Sequence, residues 1–444
     1  MSRLLATLAL GVFAGALDLS VLSPALPALG VTFGVQTSDL AWVFTLYLLV
    51  TVLSIALAGA LADRYGRRPV YLGCIALFAC GSVLAIVAPN YTIFLVARAI
   101  QALGAGGIFP VATATIGDVV PPDRRGAALG MVAATWGLAA VIGPSVGGLV
   151  THYISWRWIF AANVPLAIVV FTMALRDIPL TAPNRRGPLD VVGLTLLCGG
   201  LLALMHGLIS MHFPVLLGSA GIFAAFVVYE NAVDNPLVPI ALLRSRQLLK
   251  TYALEILIGV LEGSLFFIPT VLVGALGLSY AAAGFAAALG ALTFVIVIPA
   301  SGRALDRAGS RDVLLLGAVA SEAGLALFAL GFQSLPLALL AIVVAGAGFG
   351  ALLGAPTRYI VTNETPSSSR ATAVGLLSQA LIVGQIVGSS LAGGLMGAAR
   401  TEILGYRDAY LAFCAVAFVA LILASTLKSR VAERTQPIAE AALA

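Results

Sequence analysis

The chain has 444 residues, of which 61% are hydrophobic and only 10% charged, with a formal net charge of +5. A water-soluble domain carries about 25% charged residues. A fold with a polar shell is therefore excluded, and most of the surface must face lipid. The basic residues lie in short stretches spread along the chain, not on one stripe or tail, which excludes a nucleic-acid-binding surface.

A spanning helix needs about 20 mostly apolar residues. Such runs fall at 5–29, 40–62, 70–88, 91–118, 126–151, 158–175, 189–210, 213–229, 251–275, 280–302, 312–332, 335–358, 371–398 and 406–427, which predicts fourteen spans, numbered here in that order. Spans 7 and 8 are separated only by Met211 and His212. The chain opens on Met1-Ser2-Arg3 and runs straight into span 1, read as a retained helix and not a cleaved signal. With both termini in the cytoplasm, the inner loops collect Arg64, Arg67, Arg68, Arg124, Arg125, Arg176, Arg185, Arg186, Arg244, Arg303, Arg307, Arg311 and Lys428 among others. The outer loops hold only Arg157, Arg400 and Arg407. That asymmetry obeys the positive-inside rule and argues for an even number of spans.

The chain repeats itself. Gly59-Ala60-Leu61-Ala62-Asp63-Arg64-Tyr65-Gly66-Arg67-Arg68, a charged island after span 2, returns as Gly302-Arg303-Ala304-Leu305-Asp306-Arg307-Ala308-Gly309-Ser310-Arg311, with Asp63 and Asp306 lying 243 residues apart. Arg125-Gly126-Ala127-Ala128-Leu129-Gly130 is echoed by Arg370-Ala371-Thr372-Ala373-Val374-Gly375. Spans 1–6 thus match spans 9–14, with spans 7 and 8 inserted between. The expected organisation is a six-helix bundle over 1–175, a linker with the inserted pair over 176–250, a second six-helix bundle over 251–428 and a polar, disordered tail over 429–444. An all-α membrane protein built twice is the plan of a two-domain transporter.

Two further motifs accompany the repeated island: the stretch Leu17-Asp18-Leu19-Ser20 closing in Ala25-Leu26-Pro27, and Trp156-Arg157-Trp158-Ile159-Phe160 with Asn163-Val164-Pro165 at the start of span 6. In this order the motifs resemble the major facilitator superfamily and, within it, the fourteen-helix drug:proton antiporters. Ser23 and Pro24 depart from the span-1 pattern. The resemblance implies that the island, through Gly59, Asp63, Arg64, Gly66, Arg67, Asp306 and Arg307, latches the outward-facing state of the transport cycle. It also implies that Arg98 in span 4 takes part in proton coupling. Gly143, Pro144, Gly147 and Gly148 in span 5 match the antiporter signature, which is implied to seal one side against leak.

The residues themselves admit these roles beside plainer ones. The island's charges by themselves would set topology, yet that task needs no Asp. Gly59 and Gly66 are expected to permit a tight turn and close helix approach. Arg98 needs a partner or water within the bilayer, or a path by which to snorkel outward; Gln101, one turn along, shares its face. Asp18, in the middle of span 1, is a candidate proton carrier or a packing carboxylate. Glu255 and Glu262, seven residues apart on span 9, share a face, and Glu255 also lies close to Lys250. Asp18, Arg98, Glu262 and Glu255 are the expected proton-coupling set. Asp18, Gln101, Glu262, Glu322 and Phe266 are the expected lining of a substrate cavity. The small-residue spacing of Gly143 to Gly148 also serves plain close packing.

Cys74, Cys80, Cys198 and Cys414 are scattered through apolar runs, so neither a metal nor a disulfide framework is expected, and no cofactor. No nucleophile–base pair points to an enzyme. The expected function is a proton-coupled efflux antiporter in a bacterial inner membrane. It would carry small amphipathic or cationic compounds against protons by alternating access and act as a monomer in contact with membrane lipid, with no nucleic-acid partner. A lipid or glycolipid exporter of the same fold and a non-transporting membrane receptor or scaffold are the alternatives.

Overall fold

The computed structural model describes residues 2–180, 190–233, 236–238, 240–243, 245–366 and 369–430. Arg185, Arg186, Asn235, Pro239 and Arg244 of the expected linkers, and the tail beyond 430, lie outside them.

Among the described residues the chain is helical with no strand, and fourteen helices are long and apolar enough to cross a membrane. They are α1 (Ser2–Phe33), α2 (Thr37–Tyr65), α3 (Arg67–Val87), α4 (Tyr91–Val119), α5 (Arg124–Tyr153), α6 (Arg157–Asp177), α7 (Val191–Ile209), α8 (Phe213–Glu230), α9 (Arg246–Leu276), α10 (Tyr280–Ala308), α11 (Ser310–Gly331), α12 (Leu335–Glu364), α13 (Thr372–Ala398) and α14 (Glu402–Ser425). The narrow gap between spans 7 and 8 is a real turn, with Met211 at φ 50° as the non-glycine residue that reverses the chain.

Contacts group the chain into two compact units, residues 1–191 with 278–288, and residues 192–277 with 289–444. In the first, α1 packs on α5 and α6, and α3 on α4 and α6. In the second, α9 packs on α13 and α14, and α11 on α12 and α14. The same partners recur under the substitution of α1–α6 by α9–α14. The first core gathers Leu8, Val12, Tyr71, Phe78 and Val111; the second gathers Leu254, Ile258, Leu314 and Leu352. The inserted pair belongs to the second unit. Gly200 and Gly207 seat α7 against Phe223 and Leu216 of α8, and Gly394 of α13 faces the Leu208 carbonyl of α7.

The repeat extends to backbone irregularities that apolar runs do not reveal. α1 is α-helical over Ser2–Val21 and Leu26–Phe33, with a 3-10 turn over Ser23–Ala25 between them. α9 is α-helical over Arg246–Leu265 and Ile268–Leu276. Each second segment carries a proline in its first turn, Pro27 or Pro269, where no N–H is needed. Each ends on a left-handed glycine, Gly34 at φ 63° or Gly277 at φ 64°.

The islands differ from the loops read in the sequence. Asp63 and Arg64 are the last turn of α2, Arg67 opens α3, and only Gly66 stands between, at φ 93°. Gly309 repeats this at φ 90°. Arginine is a good helix former, so the helices run through the island and one glycine makes the corner. Gly66 thus makes the expected tight turn. Gly59 does not: it lies inside α2, and a Cβ there would meet nothing within 4 Å outside its own helix backbone.

Candidate functional site

The first unit holds a buried polar cluster drawn from five helices. Asp18 of α1 and Arg98 of α4 are both fully enclosed, and Arg98 Nη1 donates to Asp18 Oδ2 at 2.6 Å. Asp18 Oδ1 accepts from Gln101 Nε2 of α4 and from Asn163 Nδ2 of α6, each at 2.7 Å. Gln101 Nε2 also reaches Ser82 Oγ of α3 at 2.9 Å, and Arg98 Nη1 donates to Gln101 Oε1 as well. Tyr47 of α2 completes the enclosure, its ring centroid 4.1 Å from the guanidinium carbon of Arg98. Nε and Nη2 of Arg98 have no hydrogen-bond partner among the described residues.

Small residues bring these groups within reach. A Cβ on Gly81 would lie 2.4 Å from the Gln101 backbone nitrogen, and one on Gly104 would lie 2.4 Å from the Phe78 backbone nitrogen. Without side chains there, α3 and α4 approach closely enough for Gln101 to touch Ser82. Asn163 is placed by the start of α6. Trp156 just before it is buried against Phe33, Phe94 and Phe160, and its Nε1 donates to Thr32 Oγ1 at 3.0 Å. A carboxylate in lipid is expensive, and so is a guanidinium. Together they form one charge-assisted pair whose remaining acceptor sites are filled by amides. This arrangement explains why Arg98 does not snorkel. It also means that Asp18 and Gln101, expected along a cavity wall, are instead walled in on every side.

The span-5 motif grips α1 just beyond Asp18. A Cβ on Gly143 would fall 2.0 Å from Ser20 Oγ, and one on Gly147 would fall 1.9 Å from the Val21 carbonyl oxygen. Ser20 Oγ donates to the Ala139 carbonyl at 2.9 Å. Gly148 faces Tyr280, and the Pro144 carbonyl faces Gly284. Close packing of helices is thus the immediate role of this motif, and it fixes the segment of α1 that presents Asp18.

The second unit holds Glu255 and Glu262 of α9 and Glu322 of α11 within its spanning helices. Glu255 is buried, 5% exposed, with a hydrogen bond to Thr357 and its Oε2 unpartnered. Glu262 is half-buried and accepts from Gln385 Nε2 of α13 at 2.9 Å. Glu322 of α11 is half-buried with Oε2 unpartnered, and Phe266 sits half-buried at the break of α9. The pairs Pro27/Pro269 and Gly34/Gly277 set Asp18 opposite Val260 or Leu261, both buried and apolar, and not opposite Glu262.

At the first island Arg67 is shared by two acids, Asp63 at 2.7 Å and Asp118 of α4 at 2.9 Å, and Arg68 donates to the Leu175 carbonyl of α6. At the second, the side chains of Asp306 and Arg307 are exposed, and Arg430 donates to their carbonyl oxygens. Sequence reasoning missed Asp118, Asn163 as a site residue, and the pairing of Asp18 with Arg98. The signal for the last was available, since one acid and one base within two spans of one bundle need each other.

Residues 8–262 and 251–443 each match the Major Facilitator Superfamily. A Bacillus subtilis (strain 168) protein described as an uncharacterised MFS-type transporter, YfiU, is 34% identical over 412 residues, covering 89% of this chain and 79% of that one. The "multidrug resistance protein B homolog" of Mycobacterium tuberculosis (strain H37Rv) is 28% identical, covering 88% and 74%. The multidrug transporter protein MdtP of Bacillus subtilis is 27% identical, covering 90% and 76%. Among solved structures, a D-xylose–proton symporter superposes with a TM-score of 0.71 at 15% identity, covering 96% of this chain and 97% of that one, a likeness of fold alone. Fourteen spanning helices built on an internal repeat, together with these matches, place the chain in the major facilitator superfamily as an integral membrane transporter.

Proposed function

We propose that this transporter exports small amphipathic or cationic compounds in exchange for protons by alternating access, with both termini in the cytoplasm of a bacterial cell and the chain acting as a monomer. The observation that carries the reading is the enclosed Asp18–Arg98 pair with its amide partners. A neutral cluster could hold the helices together; an ionised carboxylate at this depth is the group whose charge a proton can cancel. Protonation of Asp18 would release Arg98, and the two unpartnered nitrogens of Arg98 leave it able to rebind elsewhere. Coupling follows if the protonated and ionised clusters favour different states of the cycle, because binding of protons and cargo then penalise each other. Glu262, half-buried beside Gln385, is the group proposed to meet a cationic cargo, with buried Glu255 behind it on the same helix. The multidrug names of two relatives support the cargo class.

The test is transport in proteoliposomes under an imposed pH gradient, with a panel of cationic and neutral drugs. Asp18→Asn should abolish proton-driven flux in protein that still inserts and binds cargo, with a loss of thermal stability because the buried Arg98 then lacks its counter-charge. Undiminished flux in that variant refutes the role of Asp18. Transport of no panel compound by the wild type refutes the cargo class.

A further inference from the structure

We propose that the groove between α2 and α3 binds one anionic phospholipid. The groove measures about 420 Å3 and is lined by Leu57, Leu61 and Tyr65 of α2 and by Val70, Gly73 and Leu77 of α3. Its polar content is small. Ser54, at its deep end, is buried and donates its hydroxyl to the Leu103 carbonyl at 2.6 Å. An apolar recess of this kind on a membrane helix pair suits an acyl chain. The space beside Gly73 is open, since a Cβ there would meet nothing within 4 Å.

The charge at the mouth selects the headgroup. Of the three arginines at the island, Arg67 is held by Asp63 and Asp118, and Arg68 by the Leu175 carbonyl. Arg64 is exposed, with no hydrogen bond or ion pair among the described residues, and its guanidinium carbon lies 5.6 Å from the ring centroid of Tyr65, which lines the groove. One uncommitted cation is therefore joined through one aromatic ring to one acyl-sized recess. By the positive-inside rule this end of α2 meets the cytoplasmic leaflet, where anionic lipid concentrates. A zwitterionic lipid would leave Arg64 without a net counter-charge, and a free phosphate would leave the recess uncovered. The site shares no side chain with the Asp18 cluster, so the inference stands whatever the cargo.

Native mass spectrometry of the purified full-length protein tests this, after incubation with dioleoyl phosphatidylglycerol or dioleoyl phosphatidylethanolamine. The wild type should retain one phosphatidylglycerol and not the ethanolamine lipid. Arg64→Gln should lower that retention about fivefold, the factor for one surface cation. Gly73→Phe, which fills the recess, should lower it about tenfold, the loss of roughly two buried methylenes. Leu77→Trp serves as a second filling variant should Gly73→Phe lose its monodisperse elution. Retention unchanged in Arg64→Gln or in a folded filling variant overturns the proposal. So does equal retention of the two lipids, or displacement of phosphatidylglycerol by glycerol phosphate at equal concentration.

Discussion

The two halves of the chain share helix partners, helix breaks and corner glycines, yet they fill the same positions with opposite chemistry. In the first half Gly81 approaches the backbone of Gln101; in the second Gly324 approaches that of Ala345 in the same way. Gln101 is thus replaced by Ala345, the neighbouring Ser82 by Leu325, and Asp18 by Val260 or Leu261. The first bundle buries an ion pair at these positions, and its twin fills them with aliphatic and small side chains, its own buried acid Glu255 lying elsewhere on α9. The shared scaffold therefore does not need the polar cluster to form. A buried pair of charges is weak evidence for stability, because desolvation consumes much of the attraction. Its presence in one half only is better explained by a task than by folding.

Four measurements would break or sharpen that contrast. Arg98→Ala should have the largest effect, because it leaves Asp18 buried without its counter-charge, a loss of about 3–5 kcal/mol that thermal unfolding in detergent would read. Arg98→Lys should not restore the wild type, since a point charge cannot replace a planar fork held over Tyr47. Should Arg98→Ala melt with the wild type, the pair is not what holds the cluster.

Next, Gly147→Ala and Gly388→Ala should each destabilise by about 1–3 kcal/mol through overpacking. Their added Cβ atoms would sit 1.9 Å from the Val21 carbonyl oxygen and 2.0 Å from that of Val260. Here the halves are expected to behave alike, and a large difference in melting would show that the repeated contact is not equivalent. Gln101→Ala, which copies the second half into the first, should cost about 1–2 kcal/mol by removing a donor from Asp18. Transport should fall further than the melting temperature implies if the cluster serves coupling. The smallest effect belongs to the islands. Arg67→Gln removes two partly exposed ion pairs and should cost about 1 kcal/mol or less. Arg430→Gln, which loses only contacts to carbonyl oxygens, should change melting no more than that.

Much of this protein could be read without coordinates. Fourteen apolar runs, the doubled charged island and the loop arginines follow from the cost of placing polar groups in lipid, a constraint local to each stretch of sequence. Asp18, Arg98 and Gln101 stood out for the same reason, since each is a polar residue in an apolar run. Asn163 and Asp118 did not, because an amide in a family motif and an acid near a helix end have ordinary local explanations. Their roles depend on which helices touch.

Only the tertiary structure decided that the exceptional residues of α1 and α4 meet, and that α6 and α3 contribute the amide and the hydroxyl that complete their bonding. The physical reason is one of range. Insertion into lipid is governed residue by residue along a helix. The partner of a buried charge is chosen across helices, by glycines at Gly81, Gly104, Gly143 and Gly147 that set how near two backbones come.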